Sequence, residues 1–278
     1  MATTVNYAQK YAQNVDERFS LEALTTPAVN NDYDFDGVNT VNVYSIPAAT
    51  MGNYTLQGTS RYGTPGELSN SVQTLTLSRD RSFTFTIDRR NYSDTMMTME
   101  AGRALARQMD EAVIPEIDQY RLEKIAAATT PVVGAVTKTN AYEVFLDGTA
   151  ALTEAKVPLH GRVAFITPTF FKLIKLDGTF IKSGDLSQQM LLKGQIGTVD
   201  NVPLILTPAS YLPENTAFLL THPAATVSPV KLAEYRVHEN PPGISGWLVE
   251  GRFYYDAFVL NNKKSAIYLH TTAAATSD

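Results

Sequence analysis

The chain has 278 residues, 44% of them hydrophobic, with no cysteine, a formal net charge of −5 and a pI of about 5.4. That length allows one large or two smaller domains with a sizeable core. The missing thiols exclude disulfides, thiolate metal sites and cysteine nucleophiles, and the acidic balance argues against a general nucleic-acid coat held by phosphate contacts. There is no apolar run behind a basic start and no stretch near the ~20 apolar residues of a membrane span, so the chain reads as soluble and unexported.

Residues 5–24, VNYAQKYAQNVDERFSLEAL, carry a thin amphipathic stripe of Tyr7, Tyr11, Val15 and Phe19. It suits either a first helix or an N-terminal arm that docks on a neighbour. Asp32-Tyr33-Asp34-Phe35-Asp36-Gly37 matches the opening of a calcium-binding EF-hand loop. Its twelfth position is Val43 where a bidentate Glu is needed, so the segment reads as a solvated acidic turn and no metal site is assigned.

Val38 to Ile46 alternates like a strand, and alternation resumes at Val72–Leu77 and again at Phe83, Phe85 and Ile87. Between them Pro47 to Ser71 holds Gly52, Gly58, Gly63 and Gly66 and few aliphatic anchors. A loop this long, with strands entering and leaving it, predicts a two-stranded arm thrown away from the body. Such an arm is marginal alone and needs a partner surface. Arg61, Arg79, Arg81, Arg89 and Arg90 flank it, either as solvated charge or as partners for acidic patches on neighbours.

From Ser93 to Ala128, Met99, Gly102, Ala106, Met109, Val113, Ile117 and Tyr120 recur at steps of three and four, the period of one helix face. Ser93 or Asp94 is the candidate N-cap, and Arg107 with Asp110 and Glu111, and Asp118 with Arg121, are read as surface pairs. A continuous helix here spans roughly 50 Å, which suggests a flat, extended subunit. Pro115 interrupts it. The alternatives are a hinge dividing one long helix, or a proline that simply opens a second helix at its first turn.

Further on, Asn140 to Ala155 reads as a helix, Arg162–Thr167 as a buried strand and Pro168 to Leu176 as a short helix. Gly194-Gln195-Ile196-Gly197 leads into a strand at Val202–Leu206, followed by strands at Ala217–Thr221 and Leu232–Val237. Pro241-Pro242-Gly243 marks a turn. Trp247 to Leu260 reads as one long aromatic strand, which Asn261-Asn262 turns into Ala266–Leu269. His160, His222, His238 and His270 are scattered, with no ligand spacing, and read as surface or strand-end residues. No nucleophile elbow, phosphate loop or dinucleotide fingerprint occurs, and no catalytic or cofactor-binding residue is assigned.

The order of these elements resembles the major capsid protein of tailed bacteriophages, an α+β fold of the Hong Kong 97 type. The nearest local likenesses are RSFTFTID, IPEIDQYRLEKIA, GQIGTVDNVPLIL and EGRFYYDAFVLNNKKSAIYLH. The resemblance implies an N-terminal arm at 1–31 and a first peripheral part at 32–135, with the E-loop at about 47–78 and the spine helix at 93–128. It implies an axial domain at 136–227 and closing strands of both domains at 228–278. The implied role is a non-enzymatic, self-assembling icosahedral shell subunit, packed as hexamers and pentamers around double-stranded DNA that it contacts non-specifically. A portal and a separate scaffolding protein are implied, with no membrane, no cofactor, assembly in the host cytoplasm and residence in the virion capsid. Some members of this fold join an E-loop lysine to a neighbour's asparagine; no lysine lies between Lys10 and Lys124, so that link is not expected. The rival readings are an encapsulin-like nanocompartment shell and an α+β enzyme.

Overall fold

The computed structural model describes residues 23–30, 33, 40–46, 49–64, 67, 70–89, 100–177 and 195–272. The stripe at 5–22, the acidic turn other than Tyr33, Arg90 and the candidate caps Ser93 and Asp94 lie outside them. Ala23 and Leu24 are not helical; they enter a short 3-10 turn, Thr26–Ala28.

Four sheets organise the described residues. Strands β1 (Thr40–Ser45) and β2 (Ser71–Thr76) pair antiparallel, Thr40 opposite Thr76 and Ser45 opposite Ser71. They are the strands expected on either side of the long loop. Strand β3 (Arg79–Asp88) is followed by a long helical rod made of α1 (Glu100–Gln108), a π-turn (Met109–Val113) and α2 (Ile114–Ala127). Next come β4 (Val132–Val133), α3 (Ala141–Glu154), β5 (Val163–Ile166) and α4 (Pro168–Leu176). The chain ends with β6 (Gln195–Val199), β7 (Val202–Leu206), β8 (Thr216–Thr221), β9 (Thr226–Val227), β10 (Val230–Glu239), β11 (Gly246–Tyr255), β12 (Phe258–Val259) and β13 (Ile267–Thr271). A three-stranded sheet has the order β10-β11-β3, a two-stranded one β12-β9, and a six-stranded mixed sheet β4-β13-β8-β5-β7-β6.

The rod crosses two cores. Leu105, Met109, Ile114, Ile117 and Tyr120 pack on the inner face of the three-stranded sheet with Tyr235, Val249, Phe253 and Tyr255. Leu122, Ile125 and Ala126 belong to the core of the six-stranded sheet. There α3 and α4 press Phe145 and Phe170 against Phe218 of β8, with ring centroids 5.4 and 4.8 Å from it. Thr167 caps α4 by accepting from the Phe170 N–H, and Pro168 occupies the first turn, where its missing N–H costs nothing. The buried Arg162 closes the other end of α3, donating to the carbonyls of Thr149, Val157 and Pro158.

Several expectations are corrected. The buried positions of the rod step from Met109 to Ile114, five residues, where the sequence stripe steps through Val113. A step of five is about 140° out on an α-helix. The π-turn brings both onto one face, with the Ile114 N–H donating to the Met109 carbonyl. Pro115 then sits in the first turn of α2 and the backbone stays helical through it. Asp118 and Arg121 are not a surface pair: both are buried, although Arg107 and Glu111 do pair on the surface at 2.8 Å. The expected single strand from Trp247 to Leu260 breaks at Asp256-Ala257, because Asp256 turns its carboxylate inward. Asn261–Ala266 is a 3-10 helix rather than a simple turn, and Gln195–Val199 is a strand in its own right.

Gly246 starts β11 at φ +150°, where an added Cβ would fall 2.0 Å from the Ile87 carbonyl oxygen. Backbone cannot yield cheaply, so Gly246→Ala should cost about 3 kcal/mol and lower the melting temperature by roughly 10 °C. Gly52→Ala, with nothing within 4 Å of the added carbon, is the control and should be neutral. Thermal melts followed by circular dichroism compare the two.

Candidate assembly interface

Strands β1 and β2 flank a long loop, described at residues 46, 49–64, 67 and 70. Their inward residues, Val43 and Leu75, join Leu77, Val227 and Leu260 in a small third core. Beyond it every described residue of the loop is exposed. Tyr44, Ile46, Leu56 and Val72 are exposed, Tyr62 is 92% exposed and Met51 fully so. The distal part is shaped nonetheless: the Thr55 N–H donates to the Arg61 carbonyl, and the Tyr54 and Tyr62 rings meet edge to face at 5.0 Å. Gly58 and Gly63 turn the chain at φ +96° and +87°, where a side chain would be strained. A formed arm that leaves this many large apolar side chains in water is a surface built to be covered.

The arm is bolted at its base. Gln73 uses both ends of its amide, donating to the Val259 carbonyl at 2.9 Å and accepting from the Asn261 N–H at 2.8 Å. Asp256 accepts from the Ser78 N–H and hydroxyl on one oxygen, and from the Tyr120 hydroxyl and Ala257 N–H on the other. That carboxylate ties the arm's exit strand, α2 and the corner after β11 together. Burial and the adjacent Asp256 push the Tyr120 phenol well above its ordinary range.

Two further clusters hold α2. Glu116 accepts from Arg79 at 2.9 Å and from Arg81 at 2.7 Å, and Arg79 lies over the Tyr120 ring at 4.3 Å. These arginines thus pair within their own chain, as Arg89 does with Glu239. Arg61 donates to the Gly58 carbonyl. Deeper in, Asp118 accepts from the Leu24 N–H and from the N–H and hydroxyl of Thr25, while Arg121 donates to Thr25 and Ser228. Burial raises the Asp118 carboxyl despite those bonds, and burial lowers Arg121. This network pins the segment entering at residues 23–25 onto the rod.

Sequence reasoning missed Asp256 and the Asp118–Thr25–Arg121 network. A usable signal existed for the second: Asp118 and Arg121 fall on the stripe of Ile114, Ile117 and Ile125, and polar residues on a core face are bonded ones. Of the histidines, His160 is exposed and His222 caps a short turn by accepting from the Ala224 N–H. His238 faces Glu250 at 3.3 Å. His270 is buried in β13, stacked on Phe218, and burial lowers its pKa. No cluster of three metal-ligating side chains occurs among the described residues.

A family model described as phage capsid protein matches residues 69–269, well over half of the sequence. The chain belongs to the phage capsid protein family. Among solved structures it is similar to a chain of Mycobacterium phage Che8, 18% identical over 90% of each chain with a TM-score of 0.66. It is also similar to the capsid of cyanophage P-SCSP1u, 12% identical, covering 89% of this chain and 86% of that one, again at 0.66. A virus-like particle from Pyrococcus furiosus is 11% identical, with 96% and 100% covered, at 0.57. No curated protein matches. At these identities the structural likeness is one of fold, the Hong Kong 97 type, and the family match supplies the role of a structural major capsid protein.

In this capsid protein the Glu116 cluster has an acid dependence. Burial alone would raise the Glu116 carboxyl, and its bonds to Arg79 and Arg81 reverse this and hold it below the ordinary glutamate range. A depressed folded pKa gives stability that is complete above the unfolded value and is lost as pH falls through the folded one. The window therefore lies below about pH 4.5. The groups are one-third exposed or more, so the contribution is at most about 1 kcal/mol. Melting temperatures between about pH 5 and pH 3 should fall less steeply for Glu116→Gln than for the parent.

Proposed function

We propose that this chain is the shell-forming subunit of a phage head, and that its arm is the E-loop, which lies on a second copy of the subunit. The observation that carries this is the run of exposed apolar side chains from Tyr44 to Tyr62 on an arm bolted at its base. The three-stranded sheet with α1 and α2 is the peripheral domain, and the six-stranded sheet, built largely from residues 136–227, is the axial domain; the separate cores support that division. The rod is the spine helix joining them, and 1–31 is the N-terminal arm. β13 returns from the closing strands to the six-stranded sheet, which fits their assignment to both domains.

The subunit catalyses nothing in this reading. A cleft of about 460 Å³ at the start of α4 has Glu214 as its one ionisable lining residue, where acid–base work needs a matched partner. A portal, a separate scaffolding protein and non-specifically held double-stranded DNA complete the particle, which assembles in the host cytoplasm. The family match favours a genome as content over the protein cargo of a nanocompartment shell.

Electron microscopy and size-exclusion chromatography of the purified chain, with its scaffold where one is required, test the proposal. Closed hollow particles eluting far above 30.5 kDa are expected, and a monomer under every assembly condition refutes it. Boiling the shells in detergent should release single chains, since the arm has no lysine and the protein no cysteine. A ladder of covalent oligomers on the gel contradicts that.

A further inference from the structure

We infer that copies of this chain join side to side through opposite charge, the acidic outer stripe of α3 in one copy meeting the basic outer stripe of α4 in the next. The inference rests on the shell reading and adds to it which faces meet and in what order. The first observation is the charge of the two helices. Helix α3 carries Glu143, Asp147 and Glu154 and no basic residue, while α4 carries Lys172 and Lys175 and no acidic one. Steps of four and seven bring the three carboxylates into one stripe, and steps of three and four do the same for Lys172, Lys175 and Leu176. All six side chains are exposed. Lys175 lies over the Phe171 ring at 4.2 Å, yet among the described residues none of the five charged groups makes an ion pair in its own chain.

The second observation is placement. Both helices pack on the same face of the six-stranded sheet, where Phe145 and Phe170 meet Phe218 of β8. A Cβ added at Gly148 of α3 would touch Leu220 of β8 and Tyr268 of β13, so α3 lies on the β13 side. Helix α4 starts one residue after β5, on the other side of β8. The stripes therefore lie toward opposite edges of one sheet, acidic toward β4 and basic toward β6. Apolar surface accompanies each, with Val132 and Val133 of β4 exposed on the acidic side and Leu176 on the basic side.

The occupant follows from the signs. Two acidic stripes repel, as do two basic ones, so neither suits its own copy across a two-fold axis. Each finds its complement at the opposite edge of another copy, and a head-to-tail contact of that kind closes into rings. A single exposed pair contributes little, but the set recurs at every step of the ring and like charges there are costly, so it selects the order of neighbours.

A zero-length carbodiimide cross-linker, which joins a carboxylate to an amine in direct contact, tests this on shells assembled from isotopically light and heavy parent chains. Mass spectrometry should find Glu143, Asp147 or Glu154 joined to Lys172 or Lys175, including hybrids of one light and one heavy partner. Absence of these pairs from closed shells, or pairs drawn only from single chains, overturns the inference and leaves the shell reading intact. A chain that stays monomeric overturns both.

Charge reversal gives a second reading. Glu143→Lys with Glu154→Lys sets like charges across the contact and should lower the yield of closed particles about tenfold or more, as should Lys172→Glu with Lys175→Glu. The chain carrying all four substitutions restores unlike pairing between copies and should recover most of the parent's yield. Normal yield from either double variant overturns the inference. So does a quadruple variant that keeps the parent's circular dichroism spectrum and still fails to assemble; if that variant does not fold, the cross-links decide.

Discussion

Replacing Gly52–Glu67 by a short Gly/Ser turn should leave the circular dichroism spectrum and melting temperature of the subunit nearly unchanged while abolishing closed particles. The segment removed carries Met51's neighbours Tyr54, Leu56 and Tyr62, all exposed, and none of the third core. The anchor residues Val43, Gln73, Leu75 and Leu77 stay in place, so the base of the arm keeps its packing and its bonds to Val259 and Asn261. What disappears is the surface a neighbour would cover. Burying a large apolar side chain is worth about 1.5–3 kcal/mol, so three such residues contribute on the order of 5–8 kcal/mol per contact before ordering costs. Repeated at every subunit, that loss is far beyond what a shell tolerates. Normal particles from this variant would show that the arm does not hold the shell together, and a collapsed melting temperature would show that it serves folding instead.

Asp256→Ala should be the most damaging single substitution away from the glycines. The carboxylate is buried and accepts from two backbone N–H groups and two hydroxyls, of Ser78 and Tyr120. Its removal strands those donors, and each unsatisfied buried donor costs about 1–3 kcal/mol. A total near 4 kcal/mol is expected, lowering the melting temperature by roughly 10–15 °C. Asp256→Asn keeps the shape but offers only one acceptor oxygen, and its amide N–H faces donors already in place, so it should lie between the parent and Ala. Tyr120→Phe removes one partner alone and should cost about 1 kcal/mol. A melt of Asp256→Ala within a degree or two of the parent would refute the claim that this residue joins arm, helix and sheet.

How far the sequence reached depended on the distance over which each signal acts. Alternation at Val41 and Val43, again at Val72 to Leu77, and at Phe83, Phe85 and Ile87 is a local property of the strand, and strands are present at all three places. The Thr167-Pro168 start of α4 and the all-buried run Val163–Ile166 are equally local. The long loop between two strands announced an arm because nothing in it could bury itself.

The tertiary structure decided what local periodicity could not. The stripe through Met109, Val113 and Ile117 is a valid α-helical face, and the one the chain uses runs through Met109, Ile114 and Ile117 instead. The difference is one residue of excess, absorbed as a π-turn because two helical halves must present Leu105 and Ile117 to the same sheet. Asp118 and Arg121 have the spacing of a solvated pair but lie on the apolar face of α2, and Thr25 and Ser228 arrive from 93 and 107 residues away to bond them there. Asp256 likewise looks like a flaw in an aromatic strand until Ser78 and Tyr120 converge on it from 178 and 136 residues away. Sequence by itself determined most of the strands and helices and the long loop between β1 and β2, since those follow from neighbours along the chain. Which polar residues hold the arm to the spine was set by partners distant in sequence, through hydrogen bonds that no periodicity encodes.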